Sequence, residues 1–131
     1  TSKATVFSLF VYTTIFINDG KMNFKAVPMP MQAQLSPYKT ATVAYVNNDK
    51  LPDILLGGNY YDNNIQMGRY DADYGTILLN KGHDNFIAEK LNGVTVKGQV
   101  RSIKPIKLAG NKQAYVFARN NDSTMVIDFK K

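Results

Sequence analysis

The chain of 131 residues contains no cysteine and no tryptophan, and only one histidine and one glutamate. Without cysteine there can be no disulfide, no thiolate zinc centre and no cysteine nucleophile. Compartment stays open on this count, because exported proteins can also lack disulfides. The single histidine, His83, sits in a Lys81-Gly82-His83-Asp84 turn with no second histidine to share a metal. No Gly-x-Ser-x-Gly elbow is present. Gly57-Gly58 runs into Asn-Tyr-Tyr rather than the Gly-Lys-Ser/Thr of a phosphate-cradling loop. Asp71 and Asp73 are two apart in sequence, which does not define a pair of carboxylates across a sugar. The expectation is therefore a protein that is not an enzyme and needs no cofactor. The most apolar stretch, residues 5–17, is broken by Ser8, Thr13 and Thr14 and is shorter than a membrane span. It also lacks the basic leader and small-residue cleavage site of a signal peptide. It reads as buried strand, so no membrane span is expected.

What the chain does have favours turns. Nine aspartates, thirteen asparagines and nine glycines stand against that single glutamate, Glu89. Asp and Asn hydrogen-bond their own backbone and tolerate left-handed conformations, so this balance opposes helix and suits short strands joined by tight turns. An all-β domain follows, and 131 residues are enough to bury a core without staples.

The strongest signal is internal repetition. Residues 14–26 (TIFINDGKMNFKA) return as 76–88 (TILLNKGHDNFIA). Each copy is an apolar run, an Asn-x-Gly turn and a second run opening on Asn-Phe, which is a β-hairpin pattern. Residues 54–59 (ILLGGN) are answered in the same order by 115–120 (YVFARN), and Gln34-Leu35 finds a counterpart in Gln99-Val100. Further strands are expected over 35–46, 52–56, 100–108, 114–118 and 125–129. Four antiparallel strands per unit of about sixty residues is the plan of a propeller blade. The expected division is a partial blade over 1–33, a complete blade over 34–92 and a partial blade over 93–131, as in a piece of a longer protein. Open edges on the incomplete units lead to the expectation of edge-to-edge association.

Three stretches carry a resemblance to a known family. They are 24–30 (FKAVPMP), 33–37 (AQLSP) and 47–59 (NNDKLPDILLGGN), and together they resemble the FG-GAP (VCBS) repeat of integrin-type β-propellers. With Gly68-Arg69-Tyr70-Asp71-Ala72 following, the chain is similar to the C-terminal blades of bacterial exported propellers related to cartilage acidic protein. The resemblance implies antiparallel four-stranded blades, about two of them here, from a seven-bladed ring, and an extracellular, periplasmic or cell-surface location. It also implies a calcium loop of the form Asp-x-Asn-x-Asp-Gly-x-x-Asp. Here Asn47, Asp49 and Asp53 match, but Tyr45 stands at the first ligand position and Lys50 replaces the glycine. Loss of a carboxylate and of the tight-turn glycine should weaken calcium binding strongly.

The long connection over 59–75 holds Tyr60, Tyr61, Tyr70 and Tyr74 together with Asn63, Arg69, Asp71 and Asp73. Tyrosine offers a flat apolar face with a hydrogen-bonding tip, suited to stacking on a sugar or holding a peptide. Tyr60, Tyr61, Asn63, Arg69, Tyr70, Asp71 and Asp73 are accordingly the candidate ligand-binding residues for a glycan or protein partner. The alternative is a loop that satisfies itself. The net charge is +6, and residues 90–121 contain Lys90, Lys97, Arg101, Lys104, Lys107, Lys112 and Arg119 with no acid among them. Alternating strands expose lysine as a matter of course, so a solvated face is expected there in preference to a nucleic-acid or polyanion site.

Overall fold

A computed structural model describes residues 12–59 and 72–129. Among these residues, all regular structure beyond two short 3-10 turns is antiparallel strand: β1 (Thr14–Asn18), β2 (Phe24–Pro28), β3 (Tyr38–Ala44), β4 (Asp53–Gly58), β5 (Thr76–Asn80), β6 (Phe86–Lys90), β7 (Val100–Lys107), β8 (Gln113–Arg119) and β9 (Met125–Asp128). They form three separate sheets, ordered β1-β2, β3-β4-β5-β6 and β7-β8-β9. Within each sheet every strand pairs with its neighbour in sequence, while the β2–β3 and β6–β7 connections pass from one sheet to the next.

The sequence repeat is a structural one. The hairpins β1-β2 and β5-β6 are its two copies and share a register, Asn18 opposite Phe24 and Asn80 opposite Phe86. Their turns are built alike. Asn18 Oδ1 accepts the Gly20 N–H at 2.8 Å and Asn80 Oδ1 accepts the Gly82 N–H at 2.8 Å. The N–H of Asp19 donates to the Asn23 carbonyl as that of Lys81 does to Asn85. Gly20 and Gly82 both take φ of 78°. The Asn side chain thus imitates a backbone turn, and glycine supplies the left-handed residue.

The same equivalence joins the sheets' first strands. β3 slips register between Tyr38 and Thr40, and β7 slips between Val100 and Ser102, at the same step of the repeat that takes Thr14 to Thr76. This shared bulge makes Pro37, not Gln34, the structural counterpart of Gln99. Gln34 lies in the 3-10 turn Met31–Gln34, where its side chain binds the backbone of Thr13 and Met29. The strand expected from residue 35 therefore starts only at Tyr38: the turn occupies 31–34 and Pro37 has no N–H for a ladder.

Alternation along β4 and β5 places side chains on both faces of the central sheet, and both faces are covered. Leu56, Leu78 and Ile54 face the β1-β2 sheet and pack with Ile15, Met29 and Ala33. Leu55, Ile77, Leu79 and Ala44 face the β7-β8-β9 sheet and pack with Val100, Ile103, Tyr115, Phe117 and Ile127. A strand buried on both faces has no polar side, which is why 54–56 and 77–79 are uninterrupted apolar runs. Burial of each Leu or Ile is worth about 1.5–3 kcal/mol.

The second of these contacts is close enough to demand a glycine. A Cβ on Gly57 would stand 2.5 Å from Val100 Cγ1 and 2.9 Å from Val100 Cβ. Gly57→Ala is expected to cost about 1–3 kcal/mol in urea denaturation through overpacking. Adding Val100→Ala should recover part of the loss, and strictly additive effects of the two changes would contradict the contact.

Candidate functional site

The strand order sends the connections to two opposite ends. The turns 19–23, 45–52, 81–85 and 108–112 share one end, and the connections 91–99 and 120–124 share the other with Asn59 and residues 72–75, the described feet of the β4–β5 connection. The degenerate calcium loop and the feet of the Tyr-rich connection thus lie at opposite ends of the central sheet.

At the second end a buried polar network ties the feet of the Tyr-rich connection together. Its centre is Asn59, fully buried and left-handed at φ 72°. The amide binds both backbone groups of Asp73: Oδ1 accepts the Asp73 N–H at 2.9 Å and Nδ2 donates to the Asp73 carbonyl at 2.6 Å. The same Oδ1 accepts the Ser36 hydroxyl at 3.0 Å, and Nδ2 also donates to the Gly98 carbonyl at 3.1 Å. One side chain therefore joins the approaches to β3, β5 and β7. The carboxylate of Asp73, itself buried, accepts the Gly75 N–H at 3.0 Å and the Thr76 hydroxyl at 2.8 Å. Tyr38 donates to Thr76 Oγ1 at 3.4 Å. Neighbouring Gly58 is equally constrained, since a Cβ there would meet the Pro37 carbonyl oxygen at 2.6 Å.

Of the candidate ligand-binding residues, Asp73 is thus placed at the foot of the connection, bound to Asn59. Tyr60, Tyr61, Asn63, Arg69, Tyr70 and Asp71 lie outside the described residues. The Gly-Gly-Asn string marked this place in the sequence, but no spacing rule disclosed that the Asn amide would close on Asp73.

At the first end, Asn47, Asp49 and Asp53 do different work. Asn47 Oδ1 accepts the Asp49 N–H at 3.1 Å, Asn47 Nδ2 donates to Asp49 Oδ2 at 2.9 Å, and Asp49 Oδ1 accepts the Leu51 N–H at 2.9 Å. Lys50 holds the left-handed position at φ 65°. Asp53 is fully buried, accepting the Asn80 N–H at 2.9 Å and the Val46 N–H at 3.2 Å. It staples the ends of β3 and β5 to β4. Among the described residues no three His, Cys, Asp or Glu side chains converge on a common point.

Beside this loop, a cleft of about 610 Å³ opens where the central and third sheets meet, lined by Tyr45, Asn111, Lys112, Gln113, Tyr115, Asp128 and Phe129. The Tyr115 ring meets Phe129 edge to face at 5.8 Å between centroids. Burial raises the Tyr115 phenol above its ordinary range, with the Tyr45 backbone acting in the opposite direction. The Asn111, Lys112 and Gln113 side chains have no hydrogen bond or ion pair with another described residue. They stay available to a ligand, in contrast to the spent groups around Asn59. The sequence pointed to this cleft only through Tyr45, the residue at the loop's first ligand position.

The basic stretch is divided. Arg119 donates to the carbonyls of Ser123 and Lys97 and pairs with Asp122 at 2.8 Å, while Arg101 donates to Gln99. Alternation on β7 puts Lys104 and Lys107 on opposite faces.

Comparison with known proteins finds no matching family model, no matching curated protein and no matching solved structure.

Burial is the main reason that the Asp73 carboxyl titrates above its ordinary 3.8, with Thr76, Gly75 and Gly58 pulling the other way. A raised native-state value means that the folded chain holds this proton more tightly than the unfolded chain. Ionised Asp73 therefore costs stability at neutral pH, and that cost fades as pH falls through the raised value towards the ordinary one. In urea denaturation from about pH 7 to about pH 4, the stability of the wild type relative to Asp73→Asn is expected to improve on acidification. A pH-independent difference would contradict the assignment.

Proposed function

We propose that this chain is a stretch of an FG-GAP-type β-propeller that serves as a non-enzymatic recognition or scaffolding module of an exported bacterial protein. Its ligand, a glycan or a protein, is held by the Tyr-rich connection between β4 and β5. The observation that carries this reading is the Asn59–Asp73 clamp. It fixes both feet of a connection rich in Tyr, Asn and Arg on the end of a doubly covered sheet. A recognition loop gains affinity when its scaffold holds it in place, because less ordering remains to be done on binding. The repetition of hairpin, turn and bulge supports the propeller part of the reading, since a propeller is built by repeating one antiparallel unit.

A basic-face nucleic-acid or polyanion site is the rival reading. The internal commitments of Arg101 and Arg119 and the split of Lys104 from Lys107 weigh against it. A purely structural role is the third reading.

Glycan and peptide array binding by the protein and by Tyr60→Ala/Arg69→Ala/Tyr70→Ala, at low and high salt, separates them. The expected result is binding that resists salt and is lost in the triple variant. Steeply salt-dependent binding that survives in the variant would favour the basic face. Binding that survives there but is lost in Tyr45→Ala/Gln113→Ala would move the ligand to the cleft. No binding at all would leave the structural role.

A further inference from the structure

The two contacts between sheets are one contact used twice. Where the first sheet meets the central one, Ile15 packs against the face of Leu56 and Leu78. Where the central sheet meets the third, Ile77, the counterpart of Ile15 in the repeat, packs against the face of Tyr115 and Phe117. Tyr115 and Phe117 are in turn the counterparts of Ile54 and Leu56. Each sheet therefore has one face of each kind, and a face of the first kind always meets one of the second.

The outer two faces are the unused halves of that pair. On β1-β2, Phe16, Phe24 and Ala26 point away from the central sheet, and they correspond to Leu78, Phe86 and Ala88, which pack in the first contact. Phe16 is 66% exposed where Leu78 is 0%. On β7-β8-β9 the register sets Ile106, Val116 and Val126 where the central sheet has Ala44, Leu55 and Ile77. Val126 is 57% exposed where Ile77 is 6%. Lys104 and Asp128 lie on this third-sheet face, and no charged residue on the strands of the opposing β1-β2 face repels either.

We propose that these two surfaces are the halves of one heterologous interface, and that a second copy of this chain docks its β1-β2 outer face on the β7-β8-β9 outer face of the first. The occupant follows from the repeat, because the complement of each outer face is carried by the other end of the same chain. Contacts of this head-to-tail kind either close into a ring or propagate. They differ from strand addition at an open edge, which uses backbone groups and not these side chains.

Sedimentation velocity over a range of protein concentrations tests this with two surface variants, Phe16→Lys/Phe24→Lys and Val116→Lys/Val126→Lys. The single change Val126→Lys stands in if the half-buried Val116 does not tolerate lysine. The wild type is expected to associate as concentration rises, and each variant alone to stay at the 14.7 kDa monomer. Because each variant keeps one good face, an equimolar mixture of the two should form a one-to-one dimer. A wild type that remains monomeric, variants that associate as the wild type does, or a mixture that stays monomeric would each overturn the proposal, the second of these pointing to edge-to-edge pairing.

Discussion

Coverage of the central sheet on both faces is the constraint on which the rest of the structure depends. β4 and β5 carry leucine and isoleucine at consecutive positions, so neither face of this sheet can be left to water. The hairpin β1-β2 covers one face and β7-β8-β9 the other. A lone two-stranded hairpin is marginal in water, so β1-β2 depends on this contact as much as the central sheet does. The demand for close approach explains local details that otherwise look arbitrary. Gly57 is a glycine because Val100 occupies the space of its side chain, and the bulge after Tyr38 recurs after Val100. Beside these bulges Thr40 Oγ1 accepts the Ile103 N–H at 3.3 Å.

The same constraint separates the two ends of the array chemically. Buried sheets leave their connections to satisfy the polar groups at strand ends, and this chain does so differently at each end. Asn59 and Asp73 close one end with a network that joins amide, carboxylate and backbone, and the long Tyr-rich connection starts and finishes on it. The other end uses short Asx turns and the stapling carboxylate of Asp53, leaving a cleft between sheets whose Asn111, Lys112 and Gln113 side chains are uncommitted among the described residues. The two ends therefore differ in construction: one fixes the feet of a long connection, and the other leaves a cleft beside Tyr45 and Tyr115.

Much of the fold was legible in the sequence because repetition amplifies weak local signals. The hairpin of residues 14–26 and 76–88 announced both its strands and its Asn-x-Gly turn, and turn chemistry is local enough to be read without a structure. The consecutive apolar residues of β4 and β5 marked two strands, but that both their faces are covered came only from the fold. Long-range side-chain choices were less legible. Gln34 matched Gln99 by letter yet lies in a 3-10 turn, since the bulge that sets the true alignment leaves no mark in residue type. Asp53 and Asp73 look like ligands in a string of letters, whereas burial turns both into acceptors for backbone N–H groups. Tyr45 looked like a defect in a calcium loop until its neighbours across the sheet junction were known. Sequence shows which residues have polar chemistry to offer, and only the fold shows which have already spent it.

The claim that one sheet is held between two others is tested most directly by native-state hydrogen exchange, resolved by residue. The amides of β4 and β5 around Leu55, Leu56, Ile77 and Leu78 are expected to exchange most slowly, and those of β1 and β2, whose outer face is exposed at Phe16 and Phe24, to open more readily. Protection in β1-β2 equal to or above that of β4-β5 would contradict it.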